Sequence, residues 1–91
     1  MFDLRYKGKP CVPSHDALKD MAQHDVPPSL VEHIILDGTD YKDRMMARGE
    51  IGRSIKKDKF EIIVKLVPSY SYSTDQDVWV IKHIGKRRLN K

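Results

Sequence analysis

A single cysteine, Cys11, stands alone in this chain. It has no internal disulfide partner, and the sequence therefore points to a reducing compartment. No run of eighteen apolar residues occurs, which leaves no segment able to cross a bilayer as a helix. The opening MFDLRYKGKP lacks the apolar run of a signal peptide, so a cytoplasmic location is expected. Tight metal-ligand pairs such as CxxC or HExxH are missing too. Cys11, His15, His24 and His33 are scattered over the first third of the chain, and neither a metal nor a cofactor is expected. There is no glycine-rich phosphate loop and no nucleophile elbow. Asp16 and Asp20, one helical turn apart, read as a solvated acidic helix face rather than as a catalytic carboxylate pair.

What is present is an ordinary globular composition, 40% apolar and 33% charged over 91 residues. That length supports a single domain (1–91) with one core. The net charge of +4 conceals an asymmetry. Residues 1–41 carry four Lys/Arg against seven Asp/Glu, and residues 42–91 carry thirteen against six. A basic half beside an acidic half points to an anionic partner, a phosphate backbone above all. The plainer reading is a lysine-rich surface that keeps a small protein in solution.

Phe2, Leu4 and Tyr6 alternate with polar residues, so a short first strand is expected, broken by Gly8 and Pro10. Ser14 then caps a helix with Asp16 in its first turn. Ala17, Leu18, Met21 and Ala22 form its apolar stripe. Pro27 and Pro28 separate it from a second helix carrying Leu30, Val31, Ile34 and Ile35 and closed by Gly38. Residues 1–38 thus read mainly as a helical hairpin, and 39–49 as a polar segment of no clear type. From Glu50 the period is two. Ile51, Arg53 and Ile55 alternate, KKDK (56–59) makes a turn, and Phe60, Ile62, Val64 and Leu66 line one face of a strand. Residues 68–77 read as a loop, 78–84 as the last strand and 86–91 as a basic tail. The expected fold is α+β, a helical hairpin packed on one face of a small antiparallel sheet spanning 50–85, with the other face partly open.

The last strand, VWVIKHIGKRR (78–88), carries the functional argument. Strict alternation puts Val78, Val80, Lys82 and Ile84 on one face and Trp79, Ile81 and His83 on the other. With the first set toward the helices, Trp79 and His83 share the open face as a stacking platform and an acid/base group. The alternatives are a capping role for His83 and a core role for Trp79. Arg53, on a face otherwise apolar, must reach an edge or meet an anion. Lys86, Arg87 and Arg88 read as phosphate contacts or as a solvated tail. Tyr70 and Tyr72 could stack on bases or close the loop on the sheet.

Taken together, SHDALKDMAQHDV (14–26), a second helix ending at Gly38 and the closing VWVIKHIG (78–85) resemble the RelE/ParE-like toxin superfamily, near the BrnT-type toxins and related small prokaryotic, partly archaeal domains. Ala17, Met21 and Val26 match apolar positions of the first helix. Asp20 stands where relatives carry arginine, and His24-Asp25 where they carry Arg-Gly. The resemblance implies a microbial-RNase-like architecture and an endoribonuclease of the mRNA-interferase kind, working on RNA, at the ribosome in some relatives, and held silent by an antitoxin. Carried onto this chain, it makes His83 the acid/base and Arg53 its catalytic partner. It makes Arg53, with Lys65 or Lys82, the phosphate clamps, and together with Trp79, Lys86, Arg87 and Arg88 from the strand reading above these are the expected RNA contacts. A non-catalytic module binding nucleic acid or protein through the same basic face is the alternative.

Overall fold

The computed structural model describes residues 4–89. The elements in chain order are β1 (Arg5–Tyr6), β2 (Lys9–Pro13), α1 (His15–His24), α2 (Pro28–Asp37), β3 (Thr39–Tyr41), β4 (Ile51–Lys57), β5 (Phe60–Ser71) and β6 (Gln76–Arg88). The strands form one sheet in the order β1-β2-β6-β5-β4-β3. All neighbours are antiparallel except β2, which runs parallel to β6. No helix among the described residues is long and apolar enough to cross a membrane.

The expected hairpin of helices on a small antiparallel sheet is therefore corrected to a curled, mixed, six-stranded sheet with two short helices. Two local features account for the difference. Lys7 and Gly8 both adopt positive φ, 51° and 79°, the backbone of a two-residue hairpin turn whose twist matches the flanking strands. Gly8 thus turns the chain rather than ending its extended structure. Pro10 is tolerated because Cys11 N–H bonds to Leu4 O at 2.8 Å, which directs the Pro10 nitrogen away from β1. Phe2, assigned to the first strand from sequence, lies outside the described residues. The second missed strand is polar β3, whose Thr39, Asp40 and Tyr41 pair with Ser54, Arg53 and Gly52.

The helices begin and end as their sequence dictates. Ser14 Oγ accepts Ala17 N–H at 3.0 Å, and α1 stops where Asp25 takes a left-handed φ of 58° ahead of two prolines. The helices do not pair with each other. α1 lies over β6 and β2, and α2 over β4 and β5. Ala17, Met21, Val31, Ile34 and Ile35 meet Ile62, Val64, Leu66, Trp79, Ile81 and Ile84 of the sheet in one core. Gly38 closes α2 at an ordinary φ of −77°. A Cβ there would sit 2.4 Å from Ile34 O and 2.6 Å from Ser54 O, so close approach of helix and strand is what requires glycine. Cys11 is buried in this core, and burial pushes its thiol up to about 11.

β5 and β6 outrun their expected ends. Residues 68–77, read as a loop, are largely strand, and residues 86–88 of the supposed tail are the end of β6, followed by Leu89, whose N–H bonds to Lys59 O at 2.7 Å. Their register shifts once. Lys65 faces His83, but Leu66 faces Ile81, so Lys82 is an extra residue, a β-bulge.

Arg53 holds the second helix to the sheet. Its Nε donates to Ile35 O (2.9 Å), Nη2 to Gly38 O (2.7 Å) and Nη1 to Asp40 Oδ1 (2.8 Å). These satisfy carbonyls that every helix C-terminus leaves without partners. We predict that Arg53→Met, which keeps the stem and removes the donors, lowers unfolding free energy by about 2–3 kcal/mol, measured by urea denaturation. An unchanged midpoint would show that these bonds contribute nothing net.

Candidate functional site on the open face

The bulge at Lys82 decides which side chains share the open face. Opposed residues in a sheet point to the same side. Thus Trp79, Ile81 and Ile84 face the helices, with Leu66 and Val64 beside them. Without the extra residue, His83 would follow Trp79 and Ile81 into that face. With it, His83 turns to the open side opposite Lys65, and Tyr41 joins the same row through Gly52. Lys82 reaches Glu50 on that side, Nζ to Oε1 3.7 Å. The sequence expectation that Lys82 and His83 must occupy opposite faces is corrected by this bulge.

Tyr41 can lie across the sheet because Gly52 beneath it has no side chain. A Cβ on Gly52 would meet the Tyr41 ring at 3.2 Å and its carbonyl oxygen at 2.6 Å. Tyr41 Oη donates to Asp43 Oδ2 (3.1 Å), and the same oxygen accepts from Lys65 Nζ (3.1 Å). The Lys65 bond, helped by those from Tyr41 and Met45 N–H, holds the Asp43 carboxyl below the usual range. The bond to Asp43 raises the Tyr41 hydroxyl above its ordinary value. Tyr41 thus stays protonated and donates a hydrogen bond.

At the other side of the row, β2 has already left β6, and the free edge is met by α1. Asp20 Oδ2 accepts Ile84 N–H at 3.0 Å and lies 3.6 Å from His83 Nδ1. At that separation the carboxylate makes no hydrogen bond to the ring, but it flanks Nδ1 and leaves Nε2 for a ligand. Asp20, Tyr41, Ile63, Lys65, His83, Ile84 and Gly85 line an open cleft of about 310 Å³. Further along the same face, buried Glu61 accepts from Ser54 Oγ (3.1 Å) and from Arg87 Nε (2.8 Å). The Glu61 bond raises the Arg87 guanidinium further above its already high value.

The structure thus brings together His83 and Lys65, with Lys82 beside them. It places Arg53 on the opposite face, bound to α2. Trp79 is in the core, its Nε1–H donating to Tyr6 O at 3.1 Å. Lys86 and Arg88 stand on the helix side of the sheet end, Lys86 over the Phe60 ring at 4.7 Å. Tyr70 and Tyr72 stack edge-to-face at 5.1 Å near the far tip of the β5–β6 ribbon. Tyr41, Asp43 and Asp20 were not legible as site residues. The first two lie in a segment without periodicity, and Asp20 looks like any solvated helical carboxylate. Among the described residues no cluster of three or more His, Cys, Asp or Glu side chains could hold a metal ion. Comparison with protein-family models, curated proteins and solved structures returns no match.

The lowered Asp43 carboxyl gives a pH test. Its contribution to stability is complete above the ordinary carboxyl range and is lost as pH falls through its lower folded value. Wild type should melt higher than Asp43→Asn at pH 7, and the two should converge as pH falls well below the ordinary carboxyl range. A gap persisting there would mean that the ion pair with Lys65 does not anchor this loop.

Proposed function

We propose that the open face binds single-stranded RNA and cleaves it, in the manner of the toxins that the sequence resembles. The observation that carries this reading is the Tyr41–Lys65–His83 row, which sets a proton-transferring group beside a cation and a phenol in one cleft. Phosphodiester cleavage in RNA needs those functions. The ribose 2′-hydroxyl gives up its proton to solvent water as its oxygen attacks phosphorus, the bond from phosphorus to the 5′-oxygen breaks, and a 2′,3′-cyclic phosphate and a free 5′-hydroxyl result. His83 donates a proton to the leaving 5′-oxygen. Lys65 meets the charge that builds on the phosphorane. Tyr41 donates to a non-bridging oxygen, and Asp20 flanks the imidazole at Nδ1. A phosphate entering the cleft displaces Asp43 from Lys65, because both are anions competing for one ammonium. An antitoxin, and the ribosome as the place of cleavage, belong to the same reading through the sequence resemblance.

A second reading has its own support. Lys65, Lys82 and Arg87 are all paired with carboxylates, as on a face that binds without catalysing. The two readings separate on purified protein. The first predicts cleavage of single-stranded RNA to cyclic-phosphate ends, blocked by a 2′-deoxy nucleotide at the cleaved position. It further predicts that His83→Ala and Lys65→Ala each slow cleavage by about 10². RNA left intact by the wild type refutes it. Binding that is equal in wild type and His83→Ala, with no cleavage, selects the second.

A further inference from the structure

The end of the sheet farthest from the β5–β6 tip concentrates positive charge in a fixed arrangement. Strand pairing sets Lys56, Glu61 and Arg87 in one row across β4, β5 and β6, and Lys57, Phe60 and Arg88 in the next. Lys59 lies in the turn between β4 and β5, and Lys86 opposite Ile62. Residues 56–61 and 86–88 hold six cations and two carboxylates, a surplus of +4 that equals the formal net charge of the whole chain. Like charges gathered at one end of a sheet repel, so folding alone does not favour this grouping. The two carboxylates are structurally committed. Asp58 supplies the turn at a positive φ of 57°, and Glu61 is buried under Arg87 and Ser54. By contrast, residues 66–81 contain no Lys or Arg and two Asp, so the ribbon of about 40 Å is basic at one end and acidic at the other.

We infer that Lys56, Lys59 and Arg87 form a second phosphate-binding site, which carries the RNA strand on from the cleft toward the β4–β5 turn. The inference rests on the proposed RNA-directed function but not on cleavage. The path is open. From His83, β6 passes Gly85, where a Cβ would meet nothing within 4 Å, and reaches Arg87 on the same face after about 13 Å. Arg87 directs Nε and one Nη to Glu61 and remains more than half exposed, so further guanidinium N–H groups are free for phosphate. On the helix side Lys57 and Lys86 share a recess with Asp25 and Asp58. Those acids leave the open side as the more attractive route for a polyanion. Lys56 and Lys59 are exposed and can be changed without touching the core.

The test is binding of a 2′-O-methyl RNA oligonucleotide, which cannot be cleaved, across a range of salt. Lys56→Ala/Lys59→Ala should flatten the slope of log K against log salt by roughly 1.4 and weaken binding about 25-fold at 0.1 M. Arg5→Ala/Lys19→Ala, matched in charge but elsewhere on the molecule, should have a much smaller effect. Equal losses from both pairs would reduce the site to general attraction and overturn the inference, as would no loss from the first pair. Loss of binding to anionic phosphatidylserine vesicles, with RNA binding intact, would assign the basic end to a membrane surface instead. RNA that binds through Lys56 and Lys59 yet is never cleaved supports this site while removing the catalytic reading.

Discussion

Between the pairs Leu66↔Ile81 and Lys65↔His83, the last strand carries one residue more than its partner. Side chains alternate with a period of two, so that residue inverts every position after it. The sheet keeps its core face on both sides of the bulge. Trp79 and Ile81 supply it before, Ile84 after. What changes is the other face, which receives His83 where strict alternation would bury it. The core tolerates the bulge because the β6 backbone is secured around it. Ser14 N–H bonds to Ile81 O at 3.0 Å, Ser14 Oγ to Lys82 O at 3.1 Å, and Asp20 takes Ile84 N–H. The first helix and its cap thus serve a second purpose, replacing the strand partner that β2 no longer provides.

The open face is electrostatically self-contained in the absence of a ligand. Lys65, Lys82 and Arg87 each meet a carboxylate, two of which (Asp43 and Glu50) come from the segment between β3 and β4. An anionic ligand therefore competes with protein carboxylates rather than filling bare positive charge. This arrangement lowers the cost of holding several cations on one small surface. It also ties the affinity of the cleft to how readily residues 42–50 give way. The surplus charge at the β4–β5 turn has fewer such partners among the described residues, and on the proposed function it is where a polyanion would meet the sheet first.

Much of the framework was legible because it follows from local chemistry. The cap at Ser14, the proline break before the second helix, the turn at Asp58 and the apolar alternation of β5 all appear where the residues dictate. What escaped was set by pairing partners distant in sequence. Gly8 and Pro10 look like breakers until β1 and β2 are seen as a hairpin. Thr39–Tyr41 becomes a strand only against Gly52–Ser54. At the site, His83 and Lys65 were visible as candidates, whereas the neighbours that give them a setting were not. Arg53 was noticed for the right reason, a cation on an apolar face, and its acceptors are the Asp40 carboxylate and two carbonyls at the end of α2. A bulge leaves no mark in a single strand's sequence, and so Trp79 and His83 could not be assigned to different faces in advance.

The central claim is the inverted phase of β6, and cross-strand nuclear Overhauser contacts test it most directly. The account predicts backbone proton contacts of Lys65 with His83 and of Leu66 with Ile81, with Lys82 unpaired between them. A contact of Leu66 with Lys82, continuing the register of Lys65 with His83 without interruption, would contradict it. The row that the proposed chemistry depends on would then no longer rest on a bulge.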